Sequence, residues 1–82
     1  MRITSPEMLA QALRNARIDH HLSQQSVAEL VGIKQNTVSS FENHPESSRV
    51  ETLFRLLSAL NLELSIRERN QPPEDTGWKQ EW

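Results

Sequence analysis

Apolar residues recur along this chain at helical spacing and then switch, near residue 62, to strict alternation. Leu9, Ala12, Leu13 and Ala16 stand at i, i+3, i+4 and i+7 and make one stripe, with Gln11, Arg14 and Asn15 on the other side. Ser5-Pro6-Glu7 ahead of them supplies an N-cap, a proline at the first helical position and an acid in the first turn, so a first helix is expected to run to about His20. Ser23 can cap a second helix through Val31 that turns Val27, Ala28, Leu30 and Val31 inward, and Gly32 offers the left-handed residue that stops it. A third helix, about Gln35 to Glu42, is polar apart from Val38 and Phe41, which stand three apart and can anchor it. Asn43 to Ser47 reads as a loop, and Ser48-Arg49-Val50-Glu51 has the form of a capping box that opens a fourth helix. Val50, Leu53, Phe54, Leu57 and Leu60 give that helix an apolar face ending near Asn61.

From Leu62 the period falls to two, with Leu62, Leu64 and Ile66 on one face, as a half-buried strand requires. A lone strand leaves its backbone groups unpaired, so its expected partner is the same strand of a second copy, in an intermolecular two-stranded ribbon. The expected fold class is all-α: four to five short helices, with one C-terminal strand that joins a homodimer. Residues 1–69 form the folded domain in this reading. From Asn70 the Pro72-Pro73 pair, the acids and the loss of apolar period mark 70–82 as a flexible acidic tail, in which Trp78 and Trp82 stand out.

Composition narrows the possibilities. At 82 residues the chain has room for one small domain. It has no cysteine, so neither a disulfide nor a thiolate metal site can reinforce it. No apolar run approaches the roughly 20 residues of a membrane span, and Met1 to Pro6 lacks a signal-peptide core, which makes the cytoplasm the expected compartment. A net charge of −2 runs against a nucleic-acid partner until it is divided along the chain. Residues 70–82 carry Glu74, Asp75 and Glu81 against Lys79, whereas residues 1–69 hold eight bases and eight acids. Gly32 to Phe41 contains Lys34 and no carboxylate, so the surface that would meet phosphates has the right local sign.

Between Leu22 and Glu42 the residues run Leu-Ser-Gln-Gln-Ser-Val-Ala-Glu-Leu-Val-Gly-Ile-Lys-Gln-Asn-Thr-Val-Ser-Ser-Phe-Glu. This stretch resembles the helix-turn-helix of the Xre and Cro repressor family, at Gln24, Ala28, Gly32, Val38-Ser39 and Glu42. Alanine lets two helices approach closely, glycine accepts a positive φ at the turn, and Ile33 with Val38 fixes the crossing angle. Over most of its length the chain is similar to the HipB-like antitoxins of that family. Gly32 to Asn43, the Leu62-Glu63-Leu64-Ser65 strand and an acidic end in Glu81-Trp82 carry the likeness. The resemblance implies a lambda-repressor-like fold and a homodimer joined through its C-terminal strands. It also implies a double-stranded palindromic operator upstream of the chain's own genes, and a HipA-like serine/threonine-kinase toxin held in complex.

The family places base-reading side chains on the outward N-terminal half of the third helix, here Lys34, Gln35, Asn36 and Ser39. Glutamine and asparagine can pair bidentately with adenine, lysine can donate to guanine, and serine is adaptable. Gln24, Gln25, Thr37 and Ser40 are the expected phosphate contacts. The competing reading of Lys34, Gln35, Asn36 and Ser39 is a solvated helix face. His20, His21 and His44 do not make a metal site by spacing, because adjacent imidazoles on a helix point apart and no third ligand completes the set. There is no Gly-x-Ser-x-Gly elbow, no spaced Ser, His and acid set and no glycine-rich loop, so neither an enzyme nor a cofactor is expected. Trp78 and Trp82 are expected to dock the tail on the toxin, against the alternatives that Trp82 folds over its own domain or is a frayed end. The expected function is a sequence-specific transcriptional repressor, the antitoxin and autorepressor of such a toxin. The alternatives are a stand-alone Xre-type regulator and a protein-only interaction module that no longer binds DNA.

Overall fold

The Ser5 hydroxyl accepts the N–H of Met8 at 3.1 Å and Pro6 takes the first helical position, which starts helix α1 over Pro6–Asp19. It is followed, in a computed structural model that describes residues 2–69, by α2 (Gln24–Val31), α3 (Gln35–Asn43), a 3-10 turn (Pro45–Ser47) and α4 (Val50–Ala59). Ser23 caps α2 by accepting the N–H of Ser26 at 3.0 Å. The residues from Pro45, expected as plain loop, wind into the 3-10 turn with the Ser48 N–H on the Pro45 carbonyl.

Each of α1, α2 and α4 is stopped by a left-handed residue: His21 at φ 60, Gly32 at φ 72 and Asn61 at φ 58. After α1 the N–H groups of His21 and Leu22 return to the carbonyls of Ile18 and Arg17. After α4 those of Asn61 and Leu62 return to Ser58 and Leu57 in the same pattern. These are Schellman closures, which satisfy last-turn carbonyls and reverse the chain sharply. Glycine takes that backbone without steric cost, asparagine at little cost, and histidine at more.

The core is Ala10 and Leu13 of α1, Val27 and Ala28 of α2, Val38 and Phe41 of α3, and Leu56, Leu57 and Leu60 at the C-terminal end of α4. Leu9, Ala16, Leu22, Ile33, Leu53 and Ala59 pack around it, half-buried. Three residues expected to face inward do not: Leu30, Val50 and Phe54 are 61%, 67% and 51% exposed. At 100° per residue, Leu30 lies roughly 110° round α2 from the bisector of Val27 and Ala28. Val50 and Phe54 lie roughly 70° and 110° from the axis through the Leu53, Leu56, Leu57 and Leu60 face. Leu56 takes the core position that the sequence pattern gave to them.

The expected capping box does not form. Arg49, not Ser48, is the N-cap of α4, and no side chain bonds the first turn. That shift of one residue moves Glu51 out of the box position, and it pairs instead with Arg55 at 3.3 Å. Arg55 also donates to the Val31 carbonyl at 3.0 Å, tying α4 to the end of α2.

After α4, residues 62–68 carry neither helix nor strand, so among the described residues the fold is four α-helices without a sheet. A strand is defined by its ladder of backbone hydrogen bonds, and among the described residues no second strand pairs with the segment. Leu62, Leu64 and Ile66 are 41%, 46% and 85% exposed. The tail with Trp78 and Trp82 lies outside the described residues.

Candidate nucleic-acid interface

The close approach of α2 and α3 follows from small and constrained residues at their junction. Ala28 is buried where the helices meet, Gly32 makes the turn, and the Ile33 N–H bonds the Ala28 carbonyl at 3.0 Å. Val38 and Phe41 then seat α3 in the core, which holds its opposite side toward solvent. No side chain caps α3 at Lys34, and the Thr37 N–H turns back to the Lys34 carbonyl at 2.9 Å, which leaves the N–H groups of Gln35 and Asn36 for an anionic oxygen.

A polar cluster fixes the flank of α3. Arg17 donates through Nε to Glu42 Oε2 at 2.7 Å and through Nη2 to Oε1 at 3.0 Å, while its Nη1 donates to the Leu22 carbonyl at 2.9 Å. Both side chains are largely buried, at 12% and 7% exposure. One arginine thereby holds the end of α1, the turn after it and α3 together. Gln24 Nε2 adds a donor to Glu42 Oε1 at 3.0 Å, and Gln24 Oε1 accepts from Gln35 Nε2 at 3.2 Å. Glu42, the carboxylate nearest the proposed face in sequence, is thus neutralised inside the protein and does not oppose phosphate.

The eight expected contact residues divide. Lys34, Gln35 and Asn36 are exposed together at the start of α3, with Ser40 further along; Ser39 is half-buried and accepts from Asn43 Nδ2 at 3.2 Å. Gln24 is half-buried and held at both ends of its amide, Gln25 is exposed and donates to Glu29 at 3.3 Å, and Thr37 is half-buried. Asn43 shares the outward face with Asn36 and Ser39, two turns and one turn away. Sequence reading passed over it by assigning it to the loop. It also passed over Arg17, whose partner is 25 residues distant and leaves no periodic signal. His20, His21 and His44 stand exposed at helix ends, and among the described residues no group of three or more His, Asp or Glu side chains gathers to hold a metal ion. No helix among those residues is long and apolar enough to cross a membrane.

This geometry coincides with a match of residues 13–66 to the helix-turn-helix family model. The antitoxin HipB of Escherichia coli strain K12 is 37% identical over 76 residues, which cover 92% of this chain and 86% of that protein. The chain belongs to the helix-turn-helix family, among its HipB-like members. Solved HipB chains give the same answer in three dimensions. One from a HipA–HipB–O2–O3 complex superposes with a TM-score of 0.82 at 35% identity, covering 84% of this chain and 97% of its own. Another, from a HipB–O4 20mer complex, has the same TM-score and identity. In this HipB-like chain the matched span begins within α1 and ends at Ile66, so it includes the whole Arg17, Gln24, Gln35 and Glu42 cluster.

Proposed function

We propose that the chain is a sequence-specific, homodimeric DNA-binding repressor, the antitoxin and autorepressor of a HipA-like serine/threonine-kinase toxin. The observation that carries this reading is the exposed, carboxylate-free start of α3, where Lys34, Gln35 and Asn36 project from a helix anchored by Val38 and Phe41. Those residues with Ser39 read base edges in the major groove, while Gln24, Gln25, Thr37 and Ser40 meet phosphates. The likeness to HipB chains solved with HipA and in 20mer complexes supports both partners.

Residues 1–69 are the binding and dimerising unit, and 70–82 the tail that engages the toxin through Trp78 and Trp82. Leu62, Leu64 and Ile66 pair with the same strand of a second copy. The apolar surface left open at Val50, Phe54 and Ile66 supports this, because a second copy would remove it from water. The protein acts by binding rather than by catalysis, in the cytoplasm with its operator. A mobility shift with the duplex upstream of its own gene tests the first half: a shift that scrambled duplex does not compete away is expected. Calorimetric titration of the purified kinase tests the second. Truncation after Asn70 is expected to weaken toxin binding and spare DNA binding, and equal affinities for both chains would remove the tail from the account.

A further inference from the structure

Glu42 reaches the base-reading side of α3 through two side-chain amides, and the chemistry of each link allows one direction only. A carboxylate accepts hydrogen bonds and donates none, so the end of Gln24 at 3.0 Å from Glu42 Oε1 must be its NH₂ group. The other end, Gln24 Oε1, then faces Gln35 and accepts from Gln35 Nε2 at 3.2 Å. One N–H of Gln35 is used in that bond. Its second N–H and its Oε1 remain, a donor beside an acceptor, at the exposed start of α3. Arg17, bonded to both Glu42 oxygens and to the Leu22 carbonyl, holds the carboxylate in place.

We infer that Glu42 is a positioning residue for base reading, which acts through Gln24 to fix the amide polarity of Gln35 and so its preference for adenine over guanine. This rests on the DNA-reading role proposed above. Adenine offers an N7 acceptor and an N6 donor in the major groove, which match the remaining N–H and Oε1 of Gln35. Guanine offers two acceptors, N7 and O6. To meet them Gln35 would have to turn its amide, which sets its Oε1 against Gln24 Oε1 and leaves two acceptors facing each other. Gln24 cannot turn in response, because its own oxygen would then face the Glu42 carboxylate. The buried ion pair therefore makes one base step selective without touching DNA.

The test is an anisotropy titration of the full-length chain on duplexes in which each A·T pair of the bound site is changed in turn to G·C. The pair read by Gln35 is the one at which Gln35→Ala loses its discrimination. Gln24→Met removes the link and leaves the Arg17–Glu42 pair intact, with Gln24→Ala as a second variant should the first melt early. Both are expected to lower the adenine preference at that pair by about tenfold, the size of a good bidentate contact, and to leave preference at other pairs unchanged. Glu42→Gln, whose amide can present either end to Gln24, is expected to relax the same pair. Uniform loss on every duplex would make Gln24 a phosphate anchor alone and overturn the positioning role, as would unchanged preference at the Gln35 pair. A wild-type chain that distinguishes no duplex from any other strikes the DNA-reading role itself, and the positioning role with it.

Discussion

The start of α3 and the outer side of α4 are both exposed, yet they are exposed in opposite ways. Around α3 the open side chains are polar, and the flank is tied down by the Arg17, Glu42, Gln24 and Gln35 chain. Around α4, beside the exposed Glu51–Arg55 pair, the open side chains include the apolar Val50 and Phe54, followed by Leu62, Leu64 and Ile66. A polar face is content in water and needs rigidity only to be selective, whereas an apolar face of this extent calls for cover. One region is therefore complete within a single chain, and the other is completed, in the proposed homodimer, by association. Predictions that damage one and spare the other test that division.

The largest expected effect falls on the self-sufficient region. Glu42→Ala leaves the Arg17 guanidinium buried without its carboxylate, and breaking one side of such a pair costs about 3–5 kcal/mol. Urea denaturation should show this as a lower midpoint with little change in slope, and a loss below about 1 kcal/mol would mean the pair does not clamp α1 to α3. Leu64→Asp probes the other region by placing a charge on the apolar face of the proposed paired strands. Sedimentation should find monomer where the parent chain is a dimer, with weaker DNA binding because two linked half-sites bind far better than one. An unchanged dimer would contradict the ribbon.

Much of the first region is legible in sequence because its signals are local. Ser5 and Ser23 cap as their types suggest, Gly32 marks the turn, and Val38 and Phe41 are the only large apolar residues on α3. The tether is not legible, since Arg17 and Glu42 are brought together only by the packing of α1 on α3. In the second region periodicity misleads. An apolar stripe on α4 counts apolar side chains whether they are covered or open, and it cannot separate Leu56, packed within the chain, from Val50 and Phe54 beside it, which are exposed. Ser48 and Glu51 have the spacing of a capping box, but α4 starts at Val50, one residue too late for it, after the 3-10 turn at Pro45–Ser47.

Smaller effects sharpen the comparison. Asn36→Ala should weaken binding to the specific site by about 1–3 kcal/mol and leave non-specific binding unchanged, since Asn36 is exposed and holds no part of the core. Equal loss on both duplexes would move it from base reading to backbone contact. Least in size, His21→Gly should raise stability by about 0.5–1 kcal/mol, because His21 sits at φ 60 in a closure that glycine makes without strain. Thermal melting reads it, and no gain would show that the His21 side chain offsets its backbone cost.

Competition titration measures the central claim most directly, with the full-length chain bound to a labelled duplex from upstream of its own gene and displaced by specific or scrambled duplex. The α3 face as described predicts that the specific duplex competes at least about a thousandfold better, and that affinity for both falls steeply with salt. Equal competition by the two duplexes would contradict it and leave the start of α3 a solvated helix face.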